Sequence, residues 1–417
     1  MNNLLKNTKI LQNVSWLFVL QIFNTIIPML TLPYITRILQ PTKYGDFSTA
    51  LNIITYLQVI VEFGFELNGA RKVALIENNS DMSKIFNEIF FSRILLLFLS
   101  IFILTSLSVV GYFNKTTFAC SIILLVMVIG TVIQPNWIFQ GKEDMKFITY
   151  TNVIGRLISI TLIFMFVNDS NDIFIYCILY SLNIFVSNLI GFVLALKKYK
   201  IRINIPHLSK IINALKNSWY LFISSAMGKI FSNLGITVLT AFTTSYYVGI
   251  YAAIQKIPNI LILLFTPIGQ AIFPYTSKKF NSSYIEGFNF VKKVCIIVII
   301  PFIILGILII CLQKMIVSIL FGNEYVAYST LIIPLCIWLI LSILNNFLGI
   351  QMLVGAGYQK EYSKAFQFSL IVIILSNFIL GKFIGLYGVA WATMISELSL
   401  SIILLLYNWK IINKNLT

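Results

Sequence analysis

The chain has 417 residues, of which 59% are hydrophobic and only 11% are charged, and its formal net charge is +16. Ordinary globular domains carry about 25% charged residues, so this composition excludes a soluble globular protein. The Lys and Arg residues lie in short segments between long apolar runs, which argues against a nucleic-acid-binding protein with one basic face.

The apolar runs are long enough to cross a bilayer as helices, so we expect an all-α integral membrane protein. The first run is too long for the apolar region of a cleavable signal peptide and is read as a true span. In chain order the runs predict twelve transmembrane helices, at residues 14–36, 45–65, 89–112, 117–139, 147–167, 173–196, 217–240, 246–272, 291–313, 328–350, 365–384 and 386–408.

The charges between these spans predict the orientation of the chain. With the N-terminus inside, the inner segments hold 22 Lys and Arg residues, Arg93 among them, and the outer segments hold 5. This bias predicts a plasma-membrane protein with both termini in the cytoplasm. Within the inner connection 197–216, apolar residues from Leu208 to Leu215 recur at helical spacing. They favour an amphipathic helix on the inner leaflet over a plain basic loop.

An internal repeat divides the chain near residue 205. The segment that contains Gly45 opens span two, and a similar segment that contains Gly249 opens span eight, 204 positions later. Both read as glycine, any residue, an aromatic residue and then small residues. Both halves begin inside, which predicts two parallel six-helix bundles, at 1–205 and 206–417, related by an axis along the membrane normal.

Three basic residues lie inside predicted spans: Arg156, Lys229 and Lys256. A cation in hydrocarbon costs at least about 2.5–3.5 kcal/mol, so such residues are expected to face a cavity or to bind a ligand. Counted along their helices, all three lie roughly 14–18 Å from a membrane face, near the bilayer midplane. Glu397 lies at a similar depth and could pair with Arg156; Glu62 lies closer to the inner face. Either acid could instead serve in ion coupling.

Polar side chains also recur along spans one, two, seven and eight, mostly at spacings of three, four or seven. We interpret them as the lining of a polar cavity between the halves; hydrogen-bonded helix packing is the alternative. Pro258 and Pro267 make span eight either a bending element or a static kink. The stripe residues are Gln21, Asn24, Thr25, Asn52, Thr55, Ser225, Asn233, Gln255 and Asn259.

Residues of the types that bind metals are few, and their spacing is not that of a metal site. The five cysteines fall within apolar segments without metal-type spacing, and His207 is the only histidine. We therefore expect no zinc site, no histidine-based triad and no cofactor.

Several short motifs occur in each half of the chain. They are 32–39, Tyr44-Gly45, 62–65 and Ala70-Arg71 in the first half, and 248–251, 256–258 and Phe273-Pro274 in the second. These motifs resemble the O-antigen flippases (the Wzx type) of the polysaccharide transporter family, within the multidrug/oligosaccharidyl-lipid/polysaccharide exporters. The resemblance implies a MATE-like fold and no enzymatic activity. It implies translocation of an undecaprenyl-diphosphate-linked oligosaccharide, an O-antigen or related unit, from the inner to the outer leaflet by alternating access.

A diphosphate would suit the mid-membrane cations. We predict that Lys229 and Lys256 bind it, that Arg156 contributes, and that Arg37 assists release. The expected partners are the lipid-linked glycan, membrane lipids and other polysaccharide assembly proteins, with no nucleic acid. Three alternatives stay open: a cation-coupled drug exporter of the same fold, a membrane enzyme of polysaccharide assembly, and a structural membrane partner without transport.

Overall fold

The computed structural model describes residues 2–76 and 79–416, and over these residues the chain is helical, with no strand. Short 3-10 turns occur at Ser170–Asp172 and Ser329–Leu331, and a π-helix runs over Asn346–Val354. The α-helices are α1 (Asn2–Glu62), α2 (Phe65–Ala74), α3 (Asn79–Val109), α4 (Lys115–Val132), α5 (Asn136–Gly141), α6 (Met145–Phe166), α7 (Ile173–Lys198), α8 (Leu208–Phe242), α9 (Ser245–Ile254), α10 (Lys256–Ser282), α11 (Tyr284–Cys311), α12 (Gln313–Phe321), α13 (Asn323–Val326), α14 (Ile332–Asn345), α15 (Gln359–Ile384) and α16 (Leu386–Leu416).

Eleven helical segments in the described residues are long and apolar enough to cross a membrane. The first of them, Ser15–Ala74, has 60 residues, or about 90 Å of helix, which is far longer than a hydrocarbon core of about 30 Å. It is broken at Gln40, whose φ of 59° and ψ of 168° are not helical. Pro41 follows Gln40 and disfavours helical backbone at the residue before it. This segment therefore holds two spans, and the prediction of twelve transmembrane helices is confirmed.

The predicted surface helix in the 197–216 connection is wrong. Residues 201–207 are not helical, and the turns from Leu208 onwards are the beginning of α8, which continues unbroken to Phe242. The apolar spacing was correctly identified as helical, with Ile211 and Ala214 buried. No proline or glycine separates these turns from the span that follows, so one helix forms instead of two.

Two compact units make up the described chain. The first comprises residues 1–39 and 46–233, and the second comprises 40–45 and 234–417. Contact units and sequence repeats need not share a boundary, so the repeat boundary at residue 205 stays a prediction.

Small residues let helices within each unit approach closely. A Cβ atom at Gly155 on α6 would lie 2.0 Å from the Ser187 hydroxyl on α7. In the second unit, the buried hydroxyls of Ser369 on α15 and Ser396 on α16 lie 3.0 Å apart. Close packing through glycine and serine is typical of helix association in membranes, because lipid tails are as apolar as the side chains they contact and burial of apolar surface therefore gains little.

Candidate functional site

The first unit contains a sharp break at Glu62, where α1 ends. Phe63 and Gly64 both have left-handed backbone, with φ values of 47° and 70°, and α2 begins at the next residue. A Cβ at Gly64 would lie 2.6 Å from the Leu221 side chain on α8, so glycine is needed for this approach. The Phe63 ring stacks on Phe222 with centroids 4.4 Å apart. These contacts hold the end of α1 against α8.

Arg93 lies beside this break, buried in the middle of α3. Its side chain is 1% exposed, and its Nη1 donates to the Gln134 carbonyl at 2.8 Å. That carbonyl lies in the non-helical link between α4 and α5, next to Pro135, which has no N–H to offer. Among the described residues, Nε and Nη2 of Arg93 have no hydrogen-bond partner. Their charge is met electrostatically by Glu62 and Glu66.

The assignment of Arg93 to an inner loop is therefore wrong. Arg93 lies four residues inside the predicted span 89–112, which is the signal that could have identified it. Arg93 belongs to the interior of the bundle. Without it, the inner segments hold 21 Lys and Arg residues and the outer segments hold 5. The direction of the bias is unchanged.

Two acids and two bases form a cluster at this point, defined as Glu62, Glu66, Arg93 and Lys229. Glu62 interacts electrostatically with the other three residues. The Glu66 carboxylate also accepts a hydrogen bond of 2.9 Å from Gln140 Nε2. Lys229 lies two turns beyond Phe222 on α8, so the stacked Phe63–Phe222 contact places the lysine and the end of α1 together. Of the predicted site residues, this cluster brings Glu62 and Lys229 together.

The other cations lie elsewhere. Arg156 on α6 is half-buried and interacts electrostatically with Tyr180 on α7. Arg37 lies on α1 with an exposed side chain. Both belong to the first unit.

Lys256 belongs to the second unit and is the first residue of α10, with an exposed side chain. Within span eight, α9 ends at Ile254 and α10 begins at Lys256, because Pro258 cannot donate to the carbonyl of Ile254. The backbone of Gln255 between them is itself helical, with φ of −60° and ψ of −22°, so a bending role for span eight stays a prediction. Gln255 and Asn259, close to Lys256 along the chain, are partly exposed.

The stripe residues of spans one, two and seven are mostly buried or half-buried. Several bond to their own helix: Thr25 Oγ1 donates to the Gln21 carbonyl at 3.0 Å, and Thr55 does the same to Leu51 at 2.8 Å. Such bonds satisfy a hydroxyl without any ligand. Buried members are Thr25 and Asn52, and half-buried members are Gln21, Asn24, Thr55, Ser225 and Asn233.

A cavity of about 420 Å³ lies inside the second unit, between α10 and the α14/π-helix segment. Gln351 in the π-helix is 1% exposed and donates from Nε2 to the Gly269 carbonyl at 2.9 Å. It also accepts a hydrogen bond of 3.2 Å from Thr276. Local π-helices are frequent at functional sites, and no pattern in the sequence indicated this one. Polar lining residues of the cavity are Thr266, Gln270, Ser342, Asn346 and Gln351.

Glu397 is buried beside this cavity and is bonded to neutral groups of its own unit. Asn345 Nδ2 donates to its carboxylate at 2.5 Å and to its backbone carbonyl at 2.9 Å. Ser342 also bonds to the carboxylate, and Ser401 donates to the Asn345 side-chain oxygen Oδ1 at 2.7 Å. An amide and one hydroxyl therefore satisfy this acid within the described part of the second unit.

Comparison with known proteins gives one family and several similar chains. The profile of the family described as polysaccharide biosynthesis protein matches residues 10–280. A protein of Escherichia coli K12, named provisionally as an O-antigen transporter, is 29% identical over 95% of this chain and 96% of its own.

Two solved structures share the fold at low sequence identity. One is the lipid II flippase MurJ in an inward closed conformation, with a TM-score of 0.71 at 13% identity, over 95% of this chain and 87% of its own. The other is an inward-facing multidrug resistance MATE family transporter of the MOP superfamily, with a TM-score of 0.69 at 14% identity, over 94% and 98%. The MATE-like, two-bundle membrane fold is thereby confirmed.

Proposed function

Because this chain belongs to the family of polysaccharide biosynthesis proteins, we propose that it is a flippase for an undecaprenyl-diphosphate-linked oligosaccharide. The unit moves from the inner to the outer leaflet of the bacterial plasma membrane by alternating access, with both chain termini in the cytoplasm. The name of the Escherichia coli relative supports an O-antigen or related surface glycan as the cargo. No covalent chemistry is involved.

The observation that carries the proposal is the excess of positive charge within the spans. Arg93, Arg156, Lys229 and Lys256 all lie in membrane-crossing helices, and Lys229 and Lys256 have exposed side chains. Lys229 shares the Glu62 carboxylate with the buried Arg93, and an exposed cation at this depth is costly unless it meets an anion of its own. We assign recognition of the diphosphate to Lys229 and Lys256, with a contribution from Arg156, and assistance in release to Arg37.

The membrane potential can assist the transfer. If two uncompensated negative charges cross outwards, an inside-negative potential favours the step by about 4–5 kcal/mol per 100 mV. When the lipid-linked unit has the same concentration in both leaflets, its transport is then thermodynamically possible without a chemical energy source.

The test is glycan export in a strain that lacks the gene. A flippase defect leaves complete lipid-linked units in the inner leaflet, whereas loss of a glycosyltransferase leaves incomplete ones. We expect a Lys229→Ala, Lys256→Ala double variant to abolish surface glycan and to accumulate complete units at wild-type protein abundance. Its control is Lys360→Ala, Lys364→Ala, which removes the same charge from exposed positions on α15. Normal surface glycan from the first variant would overturn the assigned residues, and incomplete units in the deletion strain would overturn the function.

A further inference from the structure

A basic pocket lies at the end of the first unit where α3 and α8 begin, outside the site described above. Its cavity measures about 610 Å³ and is lined by residues within 83–88 of α3, by Lys210 in the first turn of α8 and by the 200–207 linker between α7 and α8. Arg202 anchors the linker through its backbone. The Arg202 N–H donates to the Ser83 hydroxyl at 3.1 Å, and the Arg202 carbonyl accepts a hydrogen bond from Asn87 Nδ2 at 3.0 Å. The backbone is thus anchored while the Arg202 side chain stays exposed at the cavity.

The positive charge of the pocket favours an anionic ligand. Lys84, Lys200, Arg202 and Lys210 line it, against a single carboxylate from Glu88. Lys84 already has a partner, because its Nζ lies 2.9 Å from the Asp81 carboxylate. Three cations therefore remain to face one acid. The first turn of α8, which contributes Lys210 to the lining, adds to the positive potential.

A buried acceptor in the wall fits a ligand that carries a hydrogen-bond donor. Asn87 lines the cavity and is 5% exposed. Its Nδ2 is used by the linker, but among the described residues its Oδ1 has no hydrogen-bond donor. Buried amide oxygens are normally bonded, so a donor from a ligand or water is expected there. A phosphodiester has no such donor, whereas a headgroup with a hydroxyl has one.

Apolar side chains next to the cations point to a lipid rather than a free anion. Ile205 lines the cavity and is 83% exposed, and Ile203 and Leu208 beside it are 48% and 62% exposed. Exposed apolar residues next to a cationic pocket at a helix end fit a molecule with a charged head and hydrocarbon chains. We propose that this pocket binds an anionic phospholipid whose headgroup carries a phosphodiester and a hydroxyl, as in phosphatidylglycerol. The inference does not depend on the identity of the transported substrate.

The test is lipid binding to the purified full-length protein, measured by native mass spectrometry during titration with phosphatidylglycerol. An Arg202→Gln, Lys210→Gln variant removes two exposed charges and keeps both linker hydrogen bonds, which use backbone groups of residue 202. Each basic residue near a headgroup contributes roughly a fivefold change in affinity, so we expect a loss on the order of 25-fold. The Lys360→Gln, Lys364→Gln control removes the same charge elsewhere and should bind like the wild type.

Two further ligands test the assigned chemistry. Phosphatidylmethanol has the phosphodiester without a headgroup hydroxyl, and it should bind roughly two- to tenfold more weakly than phosphatidylglycerol. Inorganic phosphate in millimolar excess should not displace the lipid. Unchanged binding by the Arg202/Lys210 variant would overturn the site. Displacement by phosphate would overturn the lipid as ligand, and equal affinity for the two lipids would overturn the role of Asn87. None of these measurements depends on glycan transport, so failure here and failure of the proposed flippase activity are separable.

Discussion

Gly45 and Gly249 pack backbone to backbone within the second unit. A Cβ at Gly45 would lie 1.7 Å from the Ser245 carbonyl oxygen, and a Cβ at Gly249 would lie 1.9 Å from the Pro41 carbonyl oxygen. Gly249 lies 204 positions after Gly45, and Ser245 lies 204 positions after Pro41, which is the offset of the predicted repeat. The contact is therefore reciprocal: each glycine meets the carbonyl four residues before its counterpart.

We predict that Gly45→Ala or Gly249→Ala disrupts this contact. The added methyl group cannot fit without movement of backbone, which costs about 1–3 kcal/mol. Thermal unfolding in detergent should show a lower midpoint, and surface glycan should fall. Gly228→Ala is the matched control, because a Cβ there meets nothing within 4 Å. Equal stability of Gly249→Ala and Gly228→Ala would contradict the close packing.

Removal of the Arg93 charge should destabilise the first unit strongly. Arg93→Met leaves Glu62 and Glu66 without their buried cation, and loss of one member of a buried ion pair costs about 3–5 kcal/mol. Adding Glu62→Gln to Arg93→Met should recover part of this loss. A double-mutant cycle on unfolding free energies measures the recovery. Strictly additive effects would show that the two residues are not coupled.

Glu397→Gln tests whether the acid of span twelve has a structural or a coupling role. Its hydrogen bonds come from an amide and a hydroxyl, and a glutamine at this position keeps one carbonyl oxygen that can accept them. We expect near-normal stability and surface glycan for this variant. Asn345→Ala, in contrast, leaves the buried acid with fewer donors and should destabilise by about 1–3 kcal/mol. A folded but inactive Glu397→Gln protein would instead indicate ion coupling.

Tyr199 should contribute to stability at the end of α7. Its hydroxyl donates to the Asp144 carboxylate at 2.6 Å, and burial together with that carboxylate raises the pKa of Tyr199 above its usual range. The neutral phenol is thus the form that the fold favours. The stabilisation should be constant below the unfolded pKa of about 10 and decline as the pH rises above it. Tyr199→Phe should lower the unfolding midpoint and remove this decline, whereas Tyr220→Phe, at an 82% exposed position, should do neither.

The sequence alone determined the membrane character of the chain and its twelve spans, and it predicted a repeat with an offset of 204 positions. The spans depend on long apolar runs and on the breaking effect of Pro41, which act locally along the chain. Arg156, Lys229 and Lys256 were visible for the same reason, since a charge within an apolar run is conspicuous. Arg93, near the end of its predicted span, was assigned to a loop.

Only the tertiary structure decided which charges meet and which groups satisfy them. Arg93 on α3 faces Glu62 and Glu66, which lie on either side of the left-handed break at Phe63 and Gly64. Glu397 bonds to Asn345, 52 residues away, and the basic pocket forms where two helix ends and a linker converge. Such contacts join residues far apart in the chain, and helical periodicity specifies a face of a helix but not the partner that covers it.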